Sequence, residues 1–361
     1  MKNFLKILIV LFGTVTSEVY SKSHEHPSAD SMGHNHQSHK HPSLPIGLMG
    51  NMHQKGFMFS IRQGLMRMKN NILDGNNISN SEILSMSNET GNNPSNLSIV
   101  PENMDSKMTM AEGMYAVSNN LTLMVMATYL SKEMNLSTYS PHMDKDLIGK
   151  FNTSTSDLSD VTASAFFKIR ENSLSKWQGE ISYQKSIGSS DETGEVITPM
   201  SMRVEKILPY AMQSGDGATR LVFGLTNTRR LNEQIVFGNQ IRRKIVVDYL
   251  SWSFGNQTEV NSWIQYSLSE HLSFSSRLKF LDKDRISGSD QLIVAPVQTA
   301  DPDNYGGKEI HFGFGVNLTF EIFPGGKDLI GIELLAPLMQ DKSNLQMKTD
   351  YQFVIGYQKH L

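Results

Sequence analysis

Two side-chain types stand out for the chemistry they could carry. Six histidines, His24, His26, His34, His36, His39 and His41, crowd residues 22–43 as three His-x-His pairs. Neutral imidazole suits zinc, copper and nickel, and a flexible segment lets several rings converge on one ion. The pattern points to weak, exchangeable binding of divalent metal. The plain alternative is a solvated low-complexity linker.

The second type is methionine, with 21 in the chain of 361. Met58, Met66 and Met68 fall at even spacings, as do Met108, Met110 and Met114, and Met124 and Met126. In a strand, even spacing means one face. That face also carries Arg62, Glu112 and Lys132. A charge on the lipid side of a membrane barrel costs about 2–4 kcal/mol at mid-bilayer. The methionine face is therefore expected to line a lumen. Thioethers there have three uses: packing, a flexible apolar wall for greasy substrates, or soft ligands for Cu(I). Further charged lumen candidates are Lys168, Glu180, Arg220, Arg277, Lys279, His311, Glu321 and Glu333. Both signs occur, which fits a water-filled pore or an internal ion-pair network. The sequence leaves both open.

The elements that would present such faces show as strict alternation of apolar and polar residues. Ile310, Phe312, Phe314, Val316, Leu318 and Phe320 alternate with His311, Gly313, Gly315, Asn317, Thr319 and Glu321. A helix does not tolerate that period. Ordinary strands run ~5–6 residues, whereas a strand crossing lipid at a tilt needs ~9–11. Twelve such segments are expected, near 57–69, 107–117, 120–134, 157–170, 175–187, 217–229, 232–244, 255–268, 271–284, 308–323, 327–340 and 347–359. Long connections (70–106, 135–156, 188–216, 245–254, 285–307) alternate with short turns, and the final connection, 341–346, is shorter. That asymmetry belongs to outer-membrane barrels, with short periplasmic turns and long external loops. The Asn- and Ser-rich stretch 70–103 is expected to be irregular and mobile.

The rest of the chain sets the compartment. Lys2 and Lys6 precede an apolar run over residues 4–15, the layout of a secretory signal with cleavage expected near Ser21. The run is too short for a membrane-spanning helix, which needs ~20 residues. No later stretch approaches that length. There is no cysteine to form a disulfide or carry a lipid. A membrane location then requires a closed barrel. The formal net charge of −3 is mixed along the chain and argues against nucleic acid. No Gly-x-Ser-x-Gly, His-Glu-x-x-His or phosphate loop occurs, so neither an enzyme nor a cofactor is expected.

Particular strings carry a family resemblance. Pro45-Ile46-Gly47-Leu48-Met49-Gly50-Asn51-Met52-His53, then Lys55-Gly56, Arg62 and Met66 to Met68, is similar to the start of a family of bacterial outer-membrane transporters. That family is linked with the meta-pathway of phenol degradation. Met108-Thr109-Met110, Lys132-Glu133-Met134, the run from Leu208-Pro209-Tyr210 to Gly215, and Thr299-Ala300-Asp301-Pro302-Asp303 resemble it too. The resemblance spans roughly 45–361 and implies an outer-membrane barrel with a transport role. One departure is the end, Lys359-His360-Leu361, where many such barrels place an aromatic residue that the assembly machinery reads. Phe353 and Tyr357 are the aromatics nearest to it.

The expected organisation is a signal peptide (1–21), a histidine-rich disordered periplasmic tail with the family motif (22–55) and an all-β, up-and-down transmembrane barrel of about twelve antiparallel strands (56–361). The expected role is a channel for small apolar or aromatic molecules in the outer-membrane bilayer. The alternatives are a copper-handling protein, with the tail as collector and the methionine wall as conduit, and a non-conducting structural barrel.

Overall fold

The computed structural model describes residues 44–49, 56–91, 93–142, 144–321 and 326–361. The expected signal segment and the six tail histidines, His24, His26, His34, His36, His39 and His41, lie outside these. Twelve antiparallel strands form one sheet that closes on itself. They are β1 (Gly56–Leu73), β2 (Ile99–Ser118), β3 (Leu121–Tyr139), β4 (Leu147–Glu171), β5 (Ser175–Ser186) and β6 (Thr219–Arg230). The second half comprises β7 (Ile235–Asp248), β8 (Gln257–Ser267), β9 (Leu272–Lys283), β10 (Gly307–Phe320), β11 (Asp328–Lys342) and β12 (Leu345–His360). Each strand pairs with its neighbours in sequence, and β12 returns to β1, matching Met58 with His360 and Leu65 with Phe353. Closure leaves no open edge, the condition for crossing lipid with strands.

Period-two patterning decides which face is which. On β1, Phe57, Phe59 and Ile61 are exposed outward, while Met58, Ser60 and Arg62 between them are buried inward. On β10, Phe312, Phe314 and Leu318 point out, and His311, Gly313, Gly315 and Asn317 point in. The outer wall is thus an apolar band and the inner wall is polar and thioether-rich, the inverse of a soluble barrel.

Several strands run beyond the alternating segments. β3 continues to Tyr139 and β4 begins at Leu147, so the expected connection 135–156 shrinks to 140–146. The reason is solvation: past the apolar band the outward face is wet and polar while the loops cover the inward face, so the lipid-facing alternation ends while the ladder continues. Polar side chains bridge the strands there, with Asn135 donating to Asn103 Oδ1 at 2.8 Å and Asn152 to Glu133 Oε1 at 2.9 Å. The stretch expected to be mobile also has structure. Ser79 and Glu82 form a capping box on the short helix α1 (Asn80–Ile83). Ile83, Leu84, Leu97, Val100 and Leu345 then pack as a small apolar cluster.

One seam is looser. β11 pairs with β12 only over Asp328–Leu335, although both strands continue. Beyond it, Gln340 exchanges hydrogen bonds with the Thr349 backbone at 2.9 and 2.7 Å, and Lys342 Nζ donates to Met347 O at 2.9 Å. Pro337, just past the last pair, has no N–H to give a ladder.

Candidate functional site

The candidate site is the lumen, and its floor is the methionine wall. Inward positions of β1, β2 and β3 bring Met58, Met114, Met124 and Met126 together with Phe166 of β4, all buried, and Met110 packs on them. Further along the same face, Met66 Sδ lies 4.0 Å from Gln352 Nε2. Met68 packs against a second apolar cluster at the long-loop end. Met108 falls in step with Met110 and Met114 but is 39 % exposed.

Several of the inward charges are paired. Arg62 hydrogen-bonds and ion-pairs with Glu112. Arg277 grips Glu333 with two bonds of 2.8 and 2.6 Å and donates a third to Asn261 at 3.0 Å. Arg242 grips Glu180 at 2.9 and 2.7 Å. Lys279 lies 3.4 Å from Glu259, and the fully buried His311 has Nε2 3.2 Å from Glu309, which also faces Lys342. Most of these pairs link strands across the inner wall. Lys168 pairs with Glu171 at 2.8 Å at the short-turn end. Glu321 departs from expectation: it follows the last residue of β10 and is exposed. Asp328 pairs with Phe320, so no partner strand remains to hold Glu321 inward. Sequence reasoning missed Arg242, Glu309 and Lys342 as lumen residues. Arg242 stands in step with Gln240 and Glu309 with His311, so their signal was available, whereas Lys342 is out of step with Glu333 and Leu335 because Leu338 bulges between them.

The chain itself fills the lower lumen. Residues 44–49 form a turn, with Leu48 N donating to Pro45 O at 3.0 Å, and Ile46 and Leu48 are buried. Arg62 donates to Ile46 O at 3.3 Å and Leu48 O at 3.1 Å, Gln240 to Met49 O at 2.8 Å and Asn317 to Leu44 O at 3.0 Å. Three sides of the barrel therefore hold one inner segment. Gly47 sits where any Cβ would collide with Glu333 Oε2. The closeness explains glycine at that point of the segment.

The long-loop end is closed by apolar side chains. Leu208, Tyr210 and Met212 from connection 187–218 pack with Trp252, Ile293 and Val297 over Met104 and Met134 of the wall. Tyr210 and Trp252 meet edge-on at 4.7 Å. Burial pushes the Tyr210 and Tyr305 phenols above their ordinary range. Burial opposes the Asp216 carboxylate, yet Arg220, with the Ala218 and Phe254 N–H groups, holds it below the usual range. Burial likewise raises Asp301. Lys132 ties the lid to the wall, donating to Ala211 O at 2.9 Å and Gln213 O at 2.6 Å. Beneath the lid is a cavity of about 200 Å³ lined by Leu130, Lys132, Asp160, Gln184, Arg220 and Lys244. Among the described residues no group of three or more His, Asp or Glu is placed to hold a metal.

No family model matches the chain, and no curated protein matches it. Solved structures do. The COG4313 outer membrane channel from Pseudomonas putida F1 superposes with a TM-score of 0.55 at 13 % identity, over 88 % of this chain and 99 % of that one. The two therefore share a fold. A TodX monoaromatic hydrocarbon channel (TM-score 0.44, 9 % identity, 85 % and 91 % coverage) and a Pseudomonas aeruginosa FadL homologue (0.41, 9 %, 84 % and 89 %) are more distant.

Proposed function

We propose that this protein is a bacterial outer-membrane channel for small apolar or aromatic molecules. The observation that carries the reading is the character of the conduit. Among its polar inward groups this lumen carries an aromatic lid and a thioether wall, the apolar surface that a greasy solute needs along its path. The outward apolar band supports a place in the bilayer, and the likeness in fold to an outer membrane channel supports the same compartment. Residues 1–21 then serve as the export signal, 22–55 form a periplasmic tail whose stretch 44–49 enters the lumen, and the long connections face outside. A passive conduit needs neither catalytic group nor cofactor.

Liposomes carrying the purified protein test the reading. Uptake of a small aromatic such as toluene or benzoate should rise above that of protein-free vesicles, while a hydrophilic sugar of similar mass should lag. Equal rates for both solutes, or no uptake of either, overturns it.

A further inference from the structure

We infer that the thioether row at the floor of the lumen is a binding site for a soft monovalent metal ion, Cu(I) or Ag(I). Strand register creates the row. Met58 of β1 lies opposite Met114 of β2, and Met114 lies opposite Met124 of β3. Directly opposed residues set Cβ atoms about 4.5–5.5 Å apart. Three unbranched thioether chains at that spacing on one face can turn their sulfurs to a common point. Met126, one step along β3, is in the same cluster, and Met49 of the inner segment packs over it.

Packing alone does not call for this composition. Among its described residues the cluster contains methionine and Phe166 and no other residue type. The protein's other two apolar clusters are mixed, with Ile, Leu and Val throughout, so Leu and Ile fill comparable space elsewhere in the same chain. A second observation points to an occupant. Ser60 and Ser164 are buried beside the row, Ser164 directly opposite Met124, and neither hydroxyl has a hydrogen-bond partner among the described residues. A buried hydroxyl without a partner is costly, and an ordered occupant of the space beside the row offsets that cost. Ser60 also faces Glu112, whose charge Arg62 balances.

The ligand class follows from the donors. Thioether sulfur is neutral and soft, so it favours Cu(I) over Zn(II) or Ni(II), which prefer imidazole. The inference goes beyond the channel reading and does not rest on it.

The test uses the full-length chain in detergent micelles, loaded anaerobically with Cu(I) or with Ag(I). X-ray absorption should show sulfur scatterers around one ion per chain. Met58→Leu, Met114→Leu and Met124→Leu together conserve volume and apolar character. They should remove the sulfur scattering and weaken affinity by about tenfold or more. If the triple variant fails to fold, Met114→Leu alone, which removes the middle sulfur, should lower the sulfur coordination number and the affinity. Sulfur scattering and affinity unchanged in either variant, or nitrogen and oxygen scattering alone in the unaltered protein, overturns the inference.

Discussion

Arg62 has two roles, and a double-mutant cycle separates them. It neutralises Glu112, and it holds the inner segment through Ile46 O and Leu48 O. Both side chains are almost fully buried, at 4 % and 2 % exposure. Arg62→Met therefore strands a buried carboxylate, which costs about 3–5 kcal/mol, and also releases the segment. Glu112→Leu leaves the guanidinium with two carbonyl acceptors and costs less, about 1–3 kcal/mol. In the double variant no charge is orphaned, so it should be more stable than Arg62→Met by about 3–5 kcal/mol. Urea titration of the refolded barrel in lipid reads these differences. Single-channel conductance reads the anchoring role. It should rise in both variants lacking Arg62 and stay at the unaltered level in Glu112→Leu. Equal stability of Arg62→Met and the double variant refutes the charge argument. Equal conductance of Glu112→Leu and Arg62→Met refutes the anchoring argument.

Other outcomes follow from the same geometry. Ser85→Cys and Met200→Cys, exposed on long connections, should react with an impermeant thiol reagent on intact cells, whereas Asn172→Cys should not. The reverse pattern would invert the orientation. Asp216 is held below its unfolded range, so its contribution to lid stability is complete above about pH 3.9 and is lost as pH falls through the lower folded value. Protease cleavage within 187–218 should rise in that acid window, and Asp216→Asn should flatten the response. Asp301 has the opposite sign: its raised value makes its contribution largest in acid and removes it as pH rises through the folded value. Deleting residues 22–43 should abolish binding of Cu(II), Ni(II) or Zn(II) in isothermal titration, because the sequence has no other run of closely spaced histidines. Binding to the intact chain should fade as pH drops through ~6.5, where imidazole protonates.

Legibility follows the physics of each region. Where one face meets lipid and the other the lumen, period two is enforced on every residue, and all twelve strands are readable, as β1 and β10 illustrate. Past the lipid band the outward face turns polar while the loops cover the inward one, so the loop-side ends of β3 and β4 read as connection although their backbones remain paired. The parity argument also gives the inward direction of Met58, Arg62, Glu112 and Met124, because a lipid-facing charge is too costly to be neutral information. It cannot find what those residues touch. Pairing Glu309 with Lys342 requires the β10–β11 register, and that register includes a shift between Ile310 and His311 which no local pattern announces. The inner segment is hidden for a different reason. Residues 44–49 have no regular element, so their place depends on hydrogen bonds from Arg62, Gln240 and Asn317, which become neighbours only after the barrel closes. The glycine of that segment is the exception that could have been read. A residue without Cβ inside an otherwise apolar run marks a close approach, and here the approach is to the Arg277–Glu333 pair, which makes the ion pair the floor on which the inner segment rests.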